Sequence, residues 1–116
     1  MNRLKLGTFA TNLDGGFPAT TAEERHRLSW PTVARVAQLA EQADFELQVP
    51  LSRWRGLGGA TNYCGSNYEG LTWAAGLGAI TQKSQIFATV HVPVIHPIVA
   101  AKQMATADHI SGGRFR

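Results

Sequence analysis

Three times along this chain a short β-prone run gives way to a run of helical period, and that alternation leaves few folds open. The first strand is expected at Lys5–Ala10 (KLGTFA). The second is expected at Phe45–Val49 (FELQV), where apolar and polar residues alternate up to Pro50. The third is expected at Ile86–Val90, within Gln85–Val92 (QIFATVHV), a run apolar enough for a fully buried strand. From Pro31 onward, Val33, Val36, Ala37, Ala40 and Ala43 recur at helical spacing, and proline suits a first turn. Ser66 and Glu69 stand at capping-box spacing ahead of a second helix that runs to about Thr81. A third helix spans Pro97–Ser111, Gly112 supplies its stop, and the closing RFR starts a fourth strand. This order predicts an α/β fold with a parallel sheet and right-handed βα connections.

Two closures fit such a sheet: a small doubly wound domain, or part of a (β/α)8 barrel. A complete barrel takes ~250 residues. The 116 residues here supply three βα units and the start of strand four, less than half of one. Gly70, Gly76 and Gly78 each weaken the second helix by roughly 1 kcal/mol relative to alanine. Close approach of that helix to the sheet is expected to compensate. No internal repeat, low-complexity segment or second domain is visible.

Composition narrows the function classes. Hydrophobic residues make up 44% and charged residues 16%, which describes a globular chain rather than a disordered one. The net charge of +3 is scattered; Arg25 with Arg27 and Arg53 with Arg55 are the closest basic pairs. Nucleic-acid binding normally needs a clustered basic face, so no nucleic-acid partner is expected. No stretch is long and apolar enough for a membrane span. The opening residues carry no apolar run of signal-peptide length before Asp14. Cys64 is the single cysteine, which fits a reducing compartment, and the cytoplasm is the expected location.

Few side chains point to chemistry on their own. RWRGLGG reads as a βα loop rather than an RGG-type segment, and GLGGATNYCG lacks both GxGxxG spacing and a phosphate-loop lysine. Cys64 has no identifiable base. His91 and His96 form no tight HxH or HxxxH pair, so no metal site is expected. Trp30 and Trp73 read as packing residues. Trp54 stays open, because its loop follows the C-terminal end of a strand, where parallel α/β folds place their sites. Asp108, in the last turn of a helix, is disfavoured by the macrodipole, and Arg114 across the Gly112–Gly113 turn is its expected partner.

HPIVAAKQMATADHISGGRF closely resembles the bacterial luciferase-like family of flavin-dependent monooxygenases. There, a His-Pro opens the third helix, AAxQxAT runs along it, and DxxSGGRF leads into strand four. RGLGG after strand two resembles the pyrimidine oxygenases, and TNLDGG after strand one resembles the sulfone and alkanesulfonate monooxygenases. The resemblance covers nearly the whole chain and implies the N-terminal part of a (β/α)8 barrel. It implies reduced FMN used with O2 to oxygenate a small organic compound such as a sulfone, sulfonate or pyrimidine. A separate flavin reductase would supply the FMN, and a homo-oligomer is the expected assembly. Four flavin-binding residues carry over: Ser52 and Arg53 before RGxGG, and Ala88 and Thr89 at the end of strand three. At Ala88–Thr89 the family's non-proline cis peptide is expected. Catalytic residues are not assigned. Asp44 and Ser84 depart from the pattern, at positions where the family usually has a small residue, often glycine, and an apolar residue respectively. The alternatives are a deazaflavin-dependent oxidoreductase on the same barrel, or a non-catalytic flavin-binding or interaction fragment. Taken alone, the 116 residues are expected to be inactive and, with both sheet edges open, to self-associate.

Overall fold

The computed structural model describes residues 3–116. Three strands, β1 (Gly7–Phe9), β2 (Leu47–Val49) and β3 (Gln85–Ile86), form one parallel sheet in the order β1-β2-β3. They alternate with helices α1 (Trp30–Gln42), α2 (Gly70–Ile80) and α3 (Pro97–Ser111), with a 3-10 turn at Val92–Val94 before α3. Both the parallel sense and the neighbour order agree with the alternation in the sequence. The strands are shorter than the apolar runs that announced them.

Each helix starts where local chemistry satisfies its first N–H groups. The Ser29 hydroxyl accepts from Thr32 N–H, and Pro31 sits in the first turn of α1. At α2 the cap is Glu69 itself, accepting from the N–H groups of Leu71 and Thr72, and not Ser66 with Glu69 as its third residue. The Ser66–Tyr68 backbone is already committed. Ser66 O accepts from Asp14 N–H, and Tyr68 N–H donates to Asn12 O, which holds this stretch outside the helix. His96 caps α3 through Nδ1, which accepts from Ile98 N–H, and Gly112 closes that helix in the left-handed region at φ 64°.

The core lies between the sheet and the first two helices. Val33 and Ala37 of α1, Trp73, Ala74 and Leu77 of α2, and Ile86 of β3 are buried together. Two of the three α2 glycines are explained by helix contacts, while Gly70 abuts the Thr89 backbone just beyond β3. A Cβ on Gly76 would lie 2.5 Å from the Trp30 ring of α1, and one on Gly78 would lie 2.9 Å from Ser111 Cβ of α3. Close helix packing is what those positions gain in return for their low helical propensity.

The face of β2 that turns inward is also not the one its alternation suggests. Gln48 is fully buried beside Ile86, whereas Leu47 and Val49 are half-buried on the other face, where Phe9 is exposed. Gln48 is tolerated because its amide is satisfied. Its Oε1 accepts from Thr8 Oγ1 at 2.6 Å, and its Nε2 donates to Ala37 O at 3.3 Å.

Glu41, near the end of α1, ties the opposite, N-terminal edge of the sheet to the loop before β3. Its carboxylate accepts from three successive main-chain N–H groups, those of Gln82, Lys83 and Ser84, at 2.7–3.1 Å. Burial works against its ionisation, but these donors outweigh it and hold the carboxyl below its ordinary range. The stabilisation is therefore full above the ordinary carboxylate range and is lost as pH falls below it and through the lowered folded-state value. Asp44 takes the left-handed conformation at φ 60° where α1 ends, which is the geometry a glycine would adopt without strain. Ser84 is buried with its hydroxyl donating to Phe45 O. Neither departure leaves a defect in the core.

The last residues pair with the edge of β3. Phe115 bridges Ile86 in parallel, through Ile86 N–H to Arg114 O and Arg116 N–H to Ile86 O. The β3 edge is thus partly covered rather than open. The expected Asp108–Arg114 ion pair does not form: Arg3–Glu46 is the ion pair among the described residues. Arg114 reaches α2 instead. Its guanidinium donates to Gly78 O, Thr81 O, Thr81 Oγ1 and Ser84 O at 2.8–3.0 Å. The carbonyls ending α2 lack intrahelical partners and carry the negative end of the helix dipole, so a planar cation with several donors serves them better than one carboxylate would serve it.

Arg114→Met keeps the aliphatic stem and leaves these acceptors unmet. Urea unfolding is expected to show a loss of about 2–3 kcal/mol, with Arg114→Lys recovering only part of it. Asp108→Ala should change stability by less than about 0.5 kcal/mol; a loss equal to that of Arg114→Met would restore the ion-pair reading.

Candidate functional site

The strand ends gather their loops on one side of the sheet, and a buried asparagine organises them. Asn12, three residues beyond β1, has no exposed surface. Its Nδ2 donates to Leu51 O at 3.0 Å and to Tyr68 O at 3.1 Å, and its Oδ1 accepts from Leu51 N–H at 3.0 Å. One side chain therefore fixes the segment leaving β2 and the segment entering α2. In the sequence it is one polar residue in a run of turn formers, and no local pattern marks it as buried.

The segments leaving β2 and β3 then run side by side and are joined by two pairs of side chains. Ser52 Oγ lies 2.6 Å from Thr89 O, to which it donates, and 2.5 Å from Thr89 Oγ1. Two residues further along both segments, Trp54 Nε1–H donates to His91 Nδ1 at 2.9 Å, with ring centroids 6.2 Å apart. The start of α2 closes in beneath the first rung. A Cβ on Gly70 would sit 2.8 Å from Thr89 O and 3.5 Å from Ser52 Oγ.

These elements border a cleft of about 1020 Å³ at the C-terminal edge of the sheet. Ser52, Arg53 and Thr89 line it, together with Trp54, Glu69 and His91. Ala88 does not. Its side chain packs toward the hydrophobic core, and its N–H donates to Arg116 O. The Ala88–Thr89 peptide is trans, as there is no cis peptide among the described residues. With Ala88 N–H bonded to Arg116 O and Thr89 O taken by Ser52, an ordinary trans continuation of β3 satisfies both groups.

The cleft carries one cation whose donors are uncommitted. Among the described residues Arg53 makes no side-chain hydrogen bond, in contrast to Arg114. Its charge is felt by Cys64, where burial pushes the thiol up and Arg53 partly offsets that rise. Cys64 is fully buried and its Sγ points to Gly16 O, so it does not belong to the cleft. Glu69 does line the cleft, but its two oxygens cap α2. Burial opposes its charge, and the N–H groups of Leu71 and Thr72 with the Thr72 hydroxyl outweigh that and hold its pKa down. It is therefore a charged structural group rather than a proton carrier near neutral pH.

Gly70→Ala tests how tightly this wall is built. The added methyl has to displace the Thr89 carbonyl, and urea unfolding is expected to show a loss of about 1–3 kcal/mol. Amide chemical shifts should move at Ser52 and Thr89. Unchanged stability and shifts would mean that the wall is loose.

The sequence profile of luciferase-like monooxygenases matches residues 3–116. Among curated proteins, the pyrimidine monooxygenase RutA of Cronobacter turicensis is 33% identical over 112 residues, covering 97% of this chain and 30% of the relative. The RutA protein of Shigella flexneri is 34% identical over 112 residues, covering 97% of this chain and 29% of the relative. That of Klebsiella pneumoniae is 33% identical, covering 97% and 31%. The chain thus spans about 30% of the length of the curated relatives it matches. With a parallel βα sheet, a loop-lined cleft at its C-terminal edge and a family match across every described residue, the chain belongs to the luciferase-like monooxygenase family.

Proposed function

We propose that the cleft is the flavin-binding side of a flavin-dependent monooxygenase whose (β/α)8 barrel this chain contributes to, with reduced FMN as the flavin. The observation that carries this reading is Arg53, whose uncommitted guanidinium lines the cleft next to the Ser52–Thr89 rung. The cleft also suits the group in shape and in donors. Its volume of about 1020 Å³ exceeds what a planar tricycle needs, and Gly70 lets the start of α2 close against Thr89 so that this wall is firm.

When bound, reduced FMN supplies two electrons that, with O2, place one oxygen atom in an organic substrate and the other in water. The chain's own residues would bind and orient. Arg53 would donate to a flavin carbonyl or balance the anionic charge of the reduced ring. The Ser52–Thr89 rung would hold the two loops at a fixed spacing, so that the ring meets a preformed surface. Ala88 would act through its backbone, as the joint between the sheet and Thr89.

A pyrimidine is the favoured substrate class, because the relatives named above are pyrimidine monooxygenases; a sulfone or sulfonate is the variant of the same reading. A separate reductase as the source of reduced flavin and a homo-oligomeric assembly belong to this reading as well. No helix among the described residues is long and apolar enough to cross a membrane.

Anaerobic titration with reduced FMN, followed by flavin fluorescence, tests the proposal. Losing a charge-assisted hydrogen bond costs about 1.5–3 kcal/mol, so Arg53→Ala should weaken binding about ten-fold or more. Arg53→Lys should recover part of the loss. Absence of saturable binding, or equal affinity in Arg53→Ala, would overturn the assignment.

A further inference from the structure

The outer rung has chemistry that the flavin reading leaves unused. An indole Nε1–H is only a donor, so the His91 Nδ1 that receives it must be unprotonated. That fixes the imidazole as the neutral tautomer with its proton on Nε2. Among the described residues nothing accepts from Nε2–H, and the ring is exposed on the cleft wall. Trp54 is 72% exposed, so its indole also presents an uncovered surface there. The same wall continues into Val94 and Ile95.

We propose that Trp54 and His91 form a ligand-binding edge for a neutral, planar, carbonyl-bearing heterocycle. His91 Nε2–H donates to a carbonyl oxygen of that molecule and the indole packs against its ring. This deepens the functional reading above and rests on it: the inner rung belongs to the flavin and the outer rung to the organic substrate. His91 is the contacting residue. Trp54 is also a positioning residue, since its N–H holds the imidazole in the donor tautomer.

The chemistry of the edge favours this ligand class over a tetrahedral anion. A neutral imidazole offers one directed donor and no net charge. The charged groups facing it across the cleft are Arg53 and the Glu69 carboxylate, which are of opposite sign. A flat aromatic surface with one aligned donor suits a carbonyl heterocycle, whereas a sulfonate is better served by paired cations.

The test uses uracil and methanesulfonate as probes on the 116-residue chain, with and without reduced FMN under anaerobic conditions. The readouts are the imidazole nitrogen resonances of His91 and the Trp54 indole N–H. Uracil is expected to shift His91 Nε2 saturably, and methanesulfonate to leave it unmoved. His91→Phe keeps the ring and removes the donor, and should weaken uracil binding about ten-fold or more. His91→Gln restores a donor and should recover part of that loss. Trp54→Phe should keep the aromatic surface but blur the tautomer signature of His91. The proposal is overturned if uracil leaves His91 unperturbed, if His91→Phe binds uracil as tightly as the parent, or if methanesulfonate shifts His91 equally. A chain that shows the uracil response but does not bind FMN would keep this edge and overturn the flavin assignment instead.

Discussion

The arrangement of the cleft depends on Asn12 being buried and fully satisfied. Three short strands cannot by themselves aim the loops that leave them. Asn12 does so by accepting from Leu51 N–H and donating to the carbonyls of Leu51 and Tyr68, while its own carbonyl takes Tyr68 N–H. Ser52 and Arg53 follow Leu51 directly, and Glu69 and Gly70 follow Tyr68 directly. Two walls of the cleft are therefore set by one side chain in a third loop. Buried polar networks of this kind specify a geometry because any other arrangement leaves desolvated groups without partners.

The opposite edge of the sheet is held by a different device. Glu41 gathers three successive N–H groups ahead of β3, and Arg114 gathers the carbonyls at the end of α2. Both are charged groups answering backbone groups that strands and helices leave unpaired at their ends. The consequence for function is a division of labour. The N-terminal edge is closed by charge-assisted contacts, and the C-terminal edge keeps Arg53 and His91 donors uncommitted.

Much of the fold is legible in the sequence because it rests on local rules. Alternating periodicity gave β1, β2 and β3 their order, Pro97 and Gly112 mark the ends of α3, and the run before Pro50 ends β2 where expected. What the sequence hides are the contacts decided by distant partners. Gln48 reads as the polar, outward residue of an alternating strand, yet it is buried because Thr8 and Ala37 O wait for its amide. Arg114 looks like a partner for nearby Asp108, yet the end of α2 and the loop after it offer it four acceptors. The glycines of α2 suggest contact with a sheet; Gly70 does meet the Thr89 backbone just beyond β3, whereas Trp30 and Ser111 are what Gly76 and Gly78 accommodate. At the site, family resemblance pointed to Ser52, Arg53 and Thr89, which share one cleft wall, and to Ala88, which stands behind it. Asn12 falls within the TNLDGG match and His91 stands near His96, but neither pattern marks the role, since burial and hydrogen-bond direction emerge only when three loops meet.

The central claim is that ligand chemistry is confined to the C-terminal edge of the sheet, on the loops that follow β2 and β3. Hydrogen exchange read by mass spectrometry, on the chain with and without reduced FMN under anaerobic conditions, tests it most directly. The account predicts slowed exchange in residues 52–55 and 88–91, and no change in residues 82–85 at the other edge. Protection centred on 82–85, or none in either loop at saturating flavin, would contradict it.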